Sequence, residues 1–276
     1  MTINCNGKLI DFKTPKVMGI LNITPDSFYD GGLYQSEDKI LAKVDKMLKD
    51  GATFIDVGAY SSRPGADDVP VKEELDRLLP VLHVLKQEFK NDILVSVDTF
   101  RSDVAEKAIH EGANIINDIS GGVLDDRMFE VVALHQVPYV MMHMKGTPQN
   151  MKTLNQYEDL VLEVKHYFSE RIDLALKKGI ADLIIDPGFG FAKNINQNFE
   201  LLNKFELLND FDFPILCGVS RKSMIYKTLN LSPQEALNGT TALNMLALQK
   251  GAHILRVHDV KEAVECVELH KKLSDN

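Results

Sequence analysis

Apolar residues in this chain gather into short unbroken runs, and the segments between the runs carry hydrophobic positions at helical spacing. Val17–Leu21, Phe54–Val57, Ile93–Val97, Pro138–Met142 and Pro214–Cys217 read as buried strands. Three more runs lie within NIIND (114–118), LIIDP (183–187) and HILRV (253–257). Between the first two runs, Ile40, Leu41, Val44, Met47 and Leu48 recur on one helical face. Ser36 is placed to cap that helix, which the pattern carries to about Asp50, with Gly51 as its stop. Residues 71–90 are helical in pattern as well.

The pattern repeats. Gly51-Ala52, Gly112-Ala113, Gly179-Ile180 and Gly251-Ala252 each precede a short apolar strand that ends on polar residues. The glycines are 61, 67 and 72 residues apart, about twice the ~30 residues or more of one strand–helix unit. The remaining strands fall between these marks, so eight strand–helix units fill the chain. That number predicts an α/β fold, a single (β/α)8 TIM barrel over residues 1–276. Residues 1–16 stand ahead of it as an irregular or two-stranded lid segment. A doubly wound open sheet is the rival. It is disfavoured because no G-x-G-x-x-G follows the first strand and polar residues stand at nearly every strand exit.

Composition narrows the class. Forty acidic against thirty-one basic residues give a net charge of −9 over 276 residues. The chain therefore lacks the basic stripe of a nucleic-acid binder, and no Lys/Arg run marks a membrane patch. Cys5, Cys217 and Cys266 are odd in number and form no C-x-x-C pair, which argues for a reducing compartment. With no signal-peptide core and no run of about 18 apolar residues, a cytoplasmic protein is expected.

In a parallel barrel all strand exits meet on one face. Read in order they are Asn22, the Ser61-Ser62-Arg63 loop, Asp98, Asn117-Asp118, His143, Asp186, Ser220-Arg221-Lys222 and Arg256-Val257-His258. One such residue is ordinarily a cap or a turn, as Asp98-Thr99 and Asp186-Pro187-Gly188 would be alone; eight in succession make a site. His143 lacks a second histidine at ligand spacing and reads as scaffold, and Cys217 reads as a small hydrophobe. Asp98, Asn117 and Asp186 end apolar strands and suit a flat heterocycle with adjacent N–H donors. Arg63, Lys222, Arg256 and His258 supply cationic donors for phosphate or carboxylate. Asn22 is a neutral oxygen ligand suited to Mg²⁺, which leans on substrate phosphates. The ligand implied is a polar heterocycle with a diphosphate and a metal.

Eight segments, in order, resemble the dihydropteroate synthase family: GILNITPDSFYDGG, DVGAYSSRPGA, VSVDTF, NIINDISG, MMHMKGTP, IIDPGFGF, GVSRKSMI and LRVHDV. They run from about residue 16 to 260. The resemblance implies a TIM barrel, a homodimer, and folate biosynthesis by joining p-aminobenzoate to 6-hydroxymethyl-7,8-dihydropterin diphosphate. It implies Asn22 with Mg²⁺, and Asp98, Asn117, Asp186 and Lys222 in a pterin pocket. Asn22, Ser62, Arg63, Arg256 and His258 would hold the diphosphate. Phe28, Ser62, Pro64, Phe189 and Ser223 would shape the aminobenzoate site, and Asp30 would join when its loop closes. Tyr60 departs from the pattern, since many members carry glutamate there.

From this set we expect an SN1-like substitution in which Asp98, Asp30 and Lys222 act at the reacting centre. A methyltetrahydrofolate–corrinoid methyltransferase would share the Asp/Asn pocket without needing the S-R-P-G and S-R-K cation sets. A catalytically silent pterin-binding barrel would have shed Asn22, Asp98, Lys222 or Arg256.

Overall fold

The structure is a computed structural model and describes residues 1–23, 32–60 and 69–274. A hairpin, β1 (Thr2–Cys5) with β2 (Lys8–Asp11), comes first. The barrel strands are β3 (Lys16–Asn22), β4 (Phe54–Gly58), β5 (Val95–Asp98) and β6 (Ile115–Asp118), then β7 (Tyr139–Met142), β8 (Leu183–Asp186), β9 (Leu216–Cys217) and β10 (Ile254–Val257). All eight pair in parallel in the order β8-β7-β6-β5-β4-β3-β10-β9, and an isolated Ile185–Ile215 bridge closes the ring. The helices between them are α1 (Gly32–Lys49), α2 (Val71–Phe89), α3 (Ser102–His110), α4 (Met128–His135) and α5 (Leu160–Lys177). After these come α6 (Ile195–Asn203), α7 (Ser223–Tyr226), α8 (Leu237–Gln249) and α9 (Val260–Ser274). The expected TIM barrel is the observed fold. Among the described residues no helix is long and apolar enough to cross a membrane.

Strand side chains alternate between two faces. One set, including Ile55, Val57, Val95, Val97, Ile116, Ile185, Leu255 and Val257, packs outward into the layer of helices. Residues of opposite parity face the barrel axis. Met18, Phe54, Leu94, Ile115, Val140, Ile184, Leu216 and Ile254 form one apolar cluster there. Two residues further along the strands, the interior positions become Asp56, Ser96, Asn117, Asp186 and Arg256. Register keeps them level: Asp56 pairs with Ser96, Asp98 with Asn117, and Met142 with Asp186.

One boundary differs from expectation. Helix α1 begins at Gly32, so Ser36 lies inside it rather than capping it. Periodicity marks only the turns that face a core, and its first apolar position was Ile40. The N-terminal hairpin is two-stranded, but it closes the opposite end from the strand exits. Ile3, Cys5, Ile10 and Phe12 join the apolar interior cluster, because their surface matches that floor and not the polar rim.

Candidate active site

Asp56 is the hub of the polar interior. Fully buried in β4, it accepts hydrogen bonds from Ser96 Oγ (2.6 Å), Asn117 Nδ2 (3.1 Å) and Arg256 Nε (2.6 Å). Arg256 Nη2 donates to Asp98 Oδ2 at 2.8 Å, so one planar guanidinium joins two carboxylates from β4 and β5. Burial opposes the charge on Arg256, yet Asp56 and Asp98 outweigh it and raise the pKa further. Burial pushes Asp98 up to about 7, with Arg256 pulling down and Asp56 pushing the same way as burial. Because Asn117 spends an N–H on Asp56, its side-chain oxygen remains an acceptor.

Across the barrel, Asp186 is buried, which raises its pKa against the pull of Lys222. Its Oδ1 accepts from the Gly188 amide at 2.8 Å. Burial lowers Lys222 to about 8, opposed by Asp186. The Lys222 ammonium donates to the Phe189 carbonyl and lies 4.9 Å from the centre of the Phe191 ring.

Phe189 itself does not line this space. It is fully buried in the layer between barrel and helices, stacked on Phe205 with ring centres 6.1 Å apart. That corrects its expected place in the aminobenzoate site, and Phe191 is the ring beside the lysine. Gly188 and Gly190, at φ of +71° and +81°, turn the chain between them, so strand alternation does not predict which phenylalanine faces inward.

Two glycines border the space. A Cβ on Gly58 would sit 3.7 Å from both Asn22 Oδ1 and Asp98 Oδ2, and one on Gly218 would sit 4.0 Å from Arg256 Cβ and Lys222 Nζ. Neither glycine has positive φ, and a Cβ at either would make only ordinary contacts, so these distances mark how near the surrounding side chains lie. Around them Asn22, Asp98, Arg256, Lys222 and Asp186 form one neighbourhood. Asn22 Oδ1, beside Gly58, is a neutral oxygen of the kind that suits a hard divalent cation. Among the described residues no group of three acidic, histidine or cysteine side chains would hold a metal unaided. Phosphate oxygens would therefore have to complete the coordination.

His258 is exposed at the rim, where desolvation and then repulsion from Arg256 lower its pKa to about 4. Ser220 Oγ accepts from its backbone N–H at 3.1 Å and lies 3.0 Å from Nδ1. Ser223 opens α7, which is a single turn, so the amides there act as local donors with little macrodipole behind them. Phe28, Asp30, Ser62, Arg63 and Pro64 lie outside the described residues.

Asp56 and Phe191 were not among the sequence-predicted site residues. Asp56 had a signal, a carboxylate inside the apolar run FIDV. Tyr60 is a buried anchor at the base of the second loop. Its ring meets Phe100 edge-on at 5.1 Å and Arg101 at 5.2 Å, and its hydroxyl accepts from Gln149 Nε2 at 2.9 Å.

A family profile described as pterin binding enzyme matches residues 18–258. Dihydropteroate synthase of Escherichia coli (strain K12) is 43% identical over 271 residues, covering 98% of this chain and 95% of the relative. The enzyme of Bacillus subtilis is 42% identical, covering 92% and 86%. Among solved structures, Yersinia pestis dihydropteroate synthase with a sulfonamide drug complex superposes with a TM-score of 0.93 at 42% identity, covering all of both chains. Xanthomonas albilineans dihydropteroate synthase with 4-aminobenzoic acid superposes at 0.92 and 37% identity, covering 100% of this chain and 98% of that one.

Proposed function

The chain belongs to the dihydropteroate synthase family of pterin-binding enzymes, and from that premise we propose how its rim works. The reaction joins 6-hydroxymethyl-7,8-dihydropterin diphosphate to p-aminobenzoate, giving 7,8-dihydropteroate and diphosphate in folate biosynthesis. The carrying observation is the single neighbourhood of acceptors and cations, Asp186 and Asn117 beside Lys222 and Arg256.

Asp186 and the Asn117 oxygen accept from the ring N–H and amino groups of the pterin, and Lys222 donates to its acceptor atoms. Arg256, with donors left beyond those given to Asp56 and Asp98, faces the diphosphate together with the neutral imidazole of His258. The C–O bond to diphosphate breaks first, and the electron pair leaves on the phosphate oxygen. Positive charge grows on the exocyclic carbon of the electron-rich dihydropterin, where Asp98 offsets it. The aniline nitrogen then forms the C–N bond and gives up one proton, for which the departing diphosphate is a sufficient base. Asn22 would hold Mg²⁺ together with the diphosphate, and the bound ion supplies Lewis-acid stabilisation of the leaving group.

Three buried free cysteines support a reducing compartment, the cytoplasm. The family resemblance supports a homodimer, which light scattering would test. The decisive assay is diphosphate release in the presence of both substrates and Mg²⁺. Release that needs both organic substrates and stops with EDTA supports the scheme. Diphosphate release with both substrates present but no dihydropteroate formed would overturn it.

A further inference from the structure

We propose that Lys193 is a positioning residue for pterin capture, its buried ammonium holding in shape the turn from which Asp186, the Phe189 carbonyl and the Phe191 ring meet Lys222. The inference rests on the pterin pocket proposed above. Nζ of Lys193 lies 3.0 Å from Gly188 O, 3.1 Å from Phe191 O and 2.9 Å from His143 Nδ1. Three acceptors match the three N–H bonds of an ammonium, whereas a neutral amine has only two to give.

The turn needs such a brace. Gly188, Gly190 and Ala192 all have positive φ, and for Ala192, at 49°, that conformation costs about 1 kcal/mol. A Cβ on Gly188 would lie 2.1 Å from the His143 carbonyl, so the turn is pressed against β7's exit with no slack. His143 is held in turn, its amide donating to Asp186 O at 2.9 Å and its ring meeting Tyr167 edge-on at 4.9 Å. Burial and the nearby Lys193 ammonium keep that imidazole neutral, so Nδ1 is free to accept.

Lys193 and Lys222 thus grip the same short turn from two sides. Lys222 takes the Phe189 carbonyl from the pocket, and Lys193 takes the carbonyls on either side of it from beneath. Burial lowers Lys193 to about 7, with Asp186 opposing and Lys222 and Lys145 adding to the fall. As the ammonium, the form held at and below neutral pH, it serves all three acceptors of the turn.

The test measures wild type first, then Lys193→Met, with steady-state kinetics for each substrate and calorimetry using pterin-6-carboxylate as an unreactive probe. The expected result is that the KM for dihydropterin diphosphate and the Kd for the probe rise together by about tenfold or more. The KM for p-aminobenzoate should move less than twofold. His143→Phe, which keeps the ring packing and removes the acceptor, should shift the same pterin constants by a smaller factor. It also stands in should the methionine variant not fold.

Unchanged pterin constants in either folded variant would overturn the proposal. So would equal losses for both substrates, which mark a core stabiliser and nothing more. A wild type that neither binds the probe nor releases diphosphate would overturn the reading of the pocket itself, a failure distinct from that of Lys193.

Discussion

The two halves of the barrel interior are built from the same eight strands and have opposite chemistry. The lower half is Met18, Phe54, Leu94, Ile115, Val140, Ile184, Leu216 and Ile254, sealed by the N-terminal hairpin. The upper half, about 6.6 Å further along strands rising 3.3 Å per residue, holds Asp56, Ser96, Asn117, Asp186 and Arg256. Nothing in the backbone changes between them. The lower half yields stability by removing apolar surface from water. The upper half is stable only because each polar group has a partner, so its residues are selected for each other and for a ligand.

Removing the hub tests this division most severely. Asp56→Ala takes the acceptor from Ser96 and Asn117 and one of two carboxylates from Arg256. We expect a stability loss of about 3–5 kcal/mol in urea denaturation together with loss of turnover. On the floor, Phe54→Ala should cost about 3 kcal/mol or more by the same measurement, while activity per folded molecule stays within twofold of wild type. If Phe54→Ala lost turnover at full foldedness, the halves would not be separable.

Asp98→Asn sharpens the comparison from the other side. Turnover should fall about a hundredfold, as when a charge-stabilising group is removed from an active site, with no drop in melting temperature. Intact ligand binding with undiminished turnover would remove Asp98 from the chemistry. Gly58→Ala should have a smaller effect. Its new Cβ makes only ordinary contacts, the nearest 3.5 Å from Asp98 Cβ, so thermal stability should hold. The methyl fills the gap beside Asn22, and diphosphate release at low substrate should drop about tenfold.

A further test concerns pH. With its folded-state pKa raised from 3.8 to about 7, Asp98 binds its proton more tightly in the folded protein. Its favourable contribution is therefore complete below about pH 4 and is lost as pH rises toward 7. Denaturation midpoints across this window should decline less steeply in Asp98→Asn than in wild type.

How far the molecule is legible beforehand follows from the same contrast. Apolar runs ended by polar residues gave all eight barrel strands, and Asp98, Asn117, Asp186 and Arg256 stood out because each follows hydrophobic neighbours. Asp56 was passed over because it precedes its strand's exit, although interior parity with Phe54 and Gly58 places it facing the axis. Which of Phe189 and Phe191 faces inward is not legible in the sequence, because alternation stops where left-handed turns begin. Lys193 carries no local signal in the sequence, since burial of a cation depends on carbonyls that only the folded turn presents. The hairpin was expected, but nothing local says which end of a barrel it will seal.

Arg256 lies 200 residues beyond Asp56 and 158 beyond Asp98, on the last of the eight barrel strands in chain order. A chain emerging from the ribosome therefore carries the two acids long before the cation that lets both be buried. An unfinished barrel faces uncompensated negative charge at its axis, and its first strand still lacks its neighbour β10. Closure of the ring and neutralisation of the axis thus coincide, because both wait for β10.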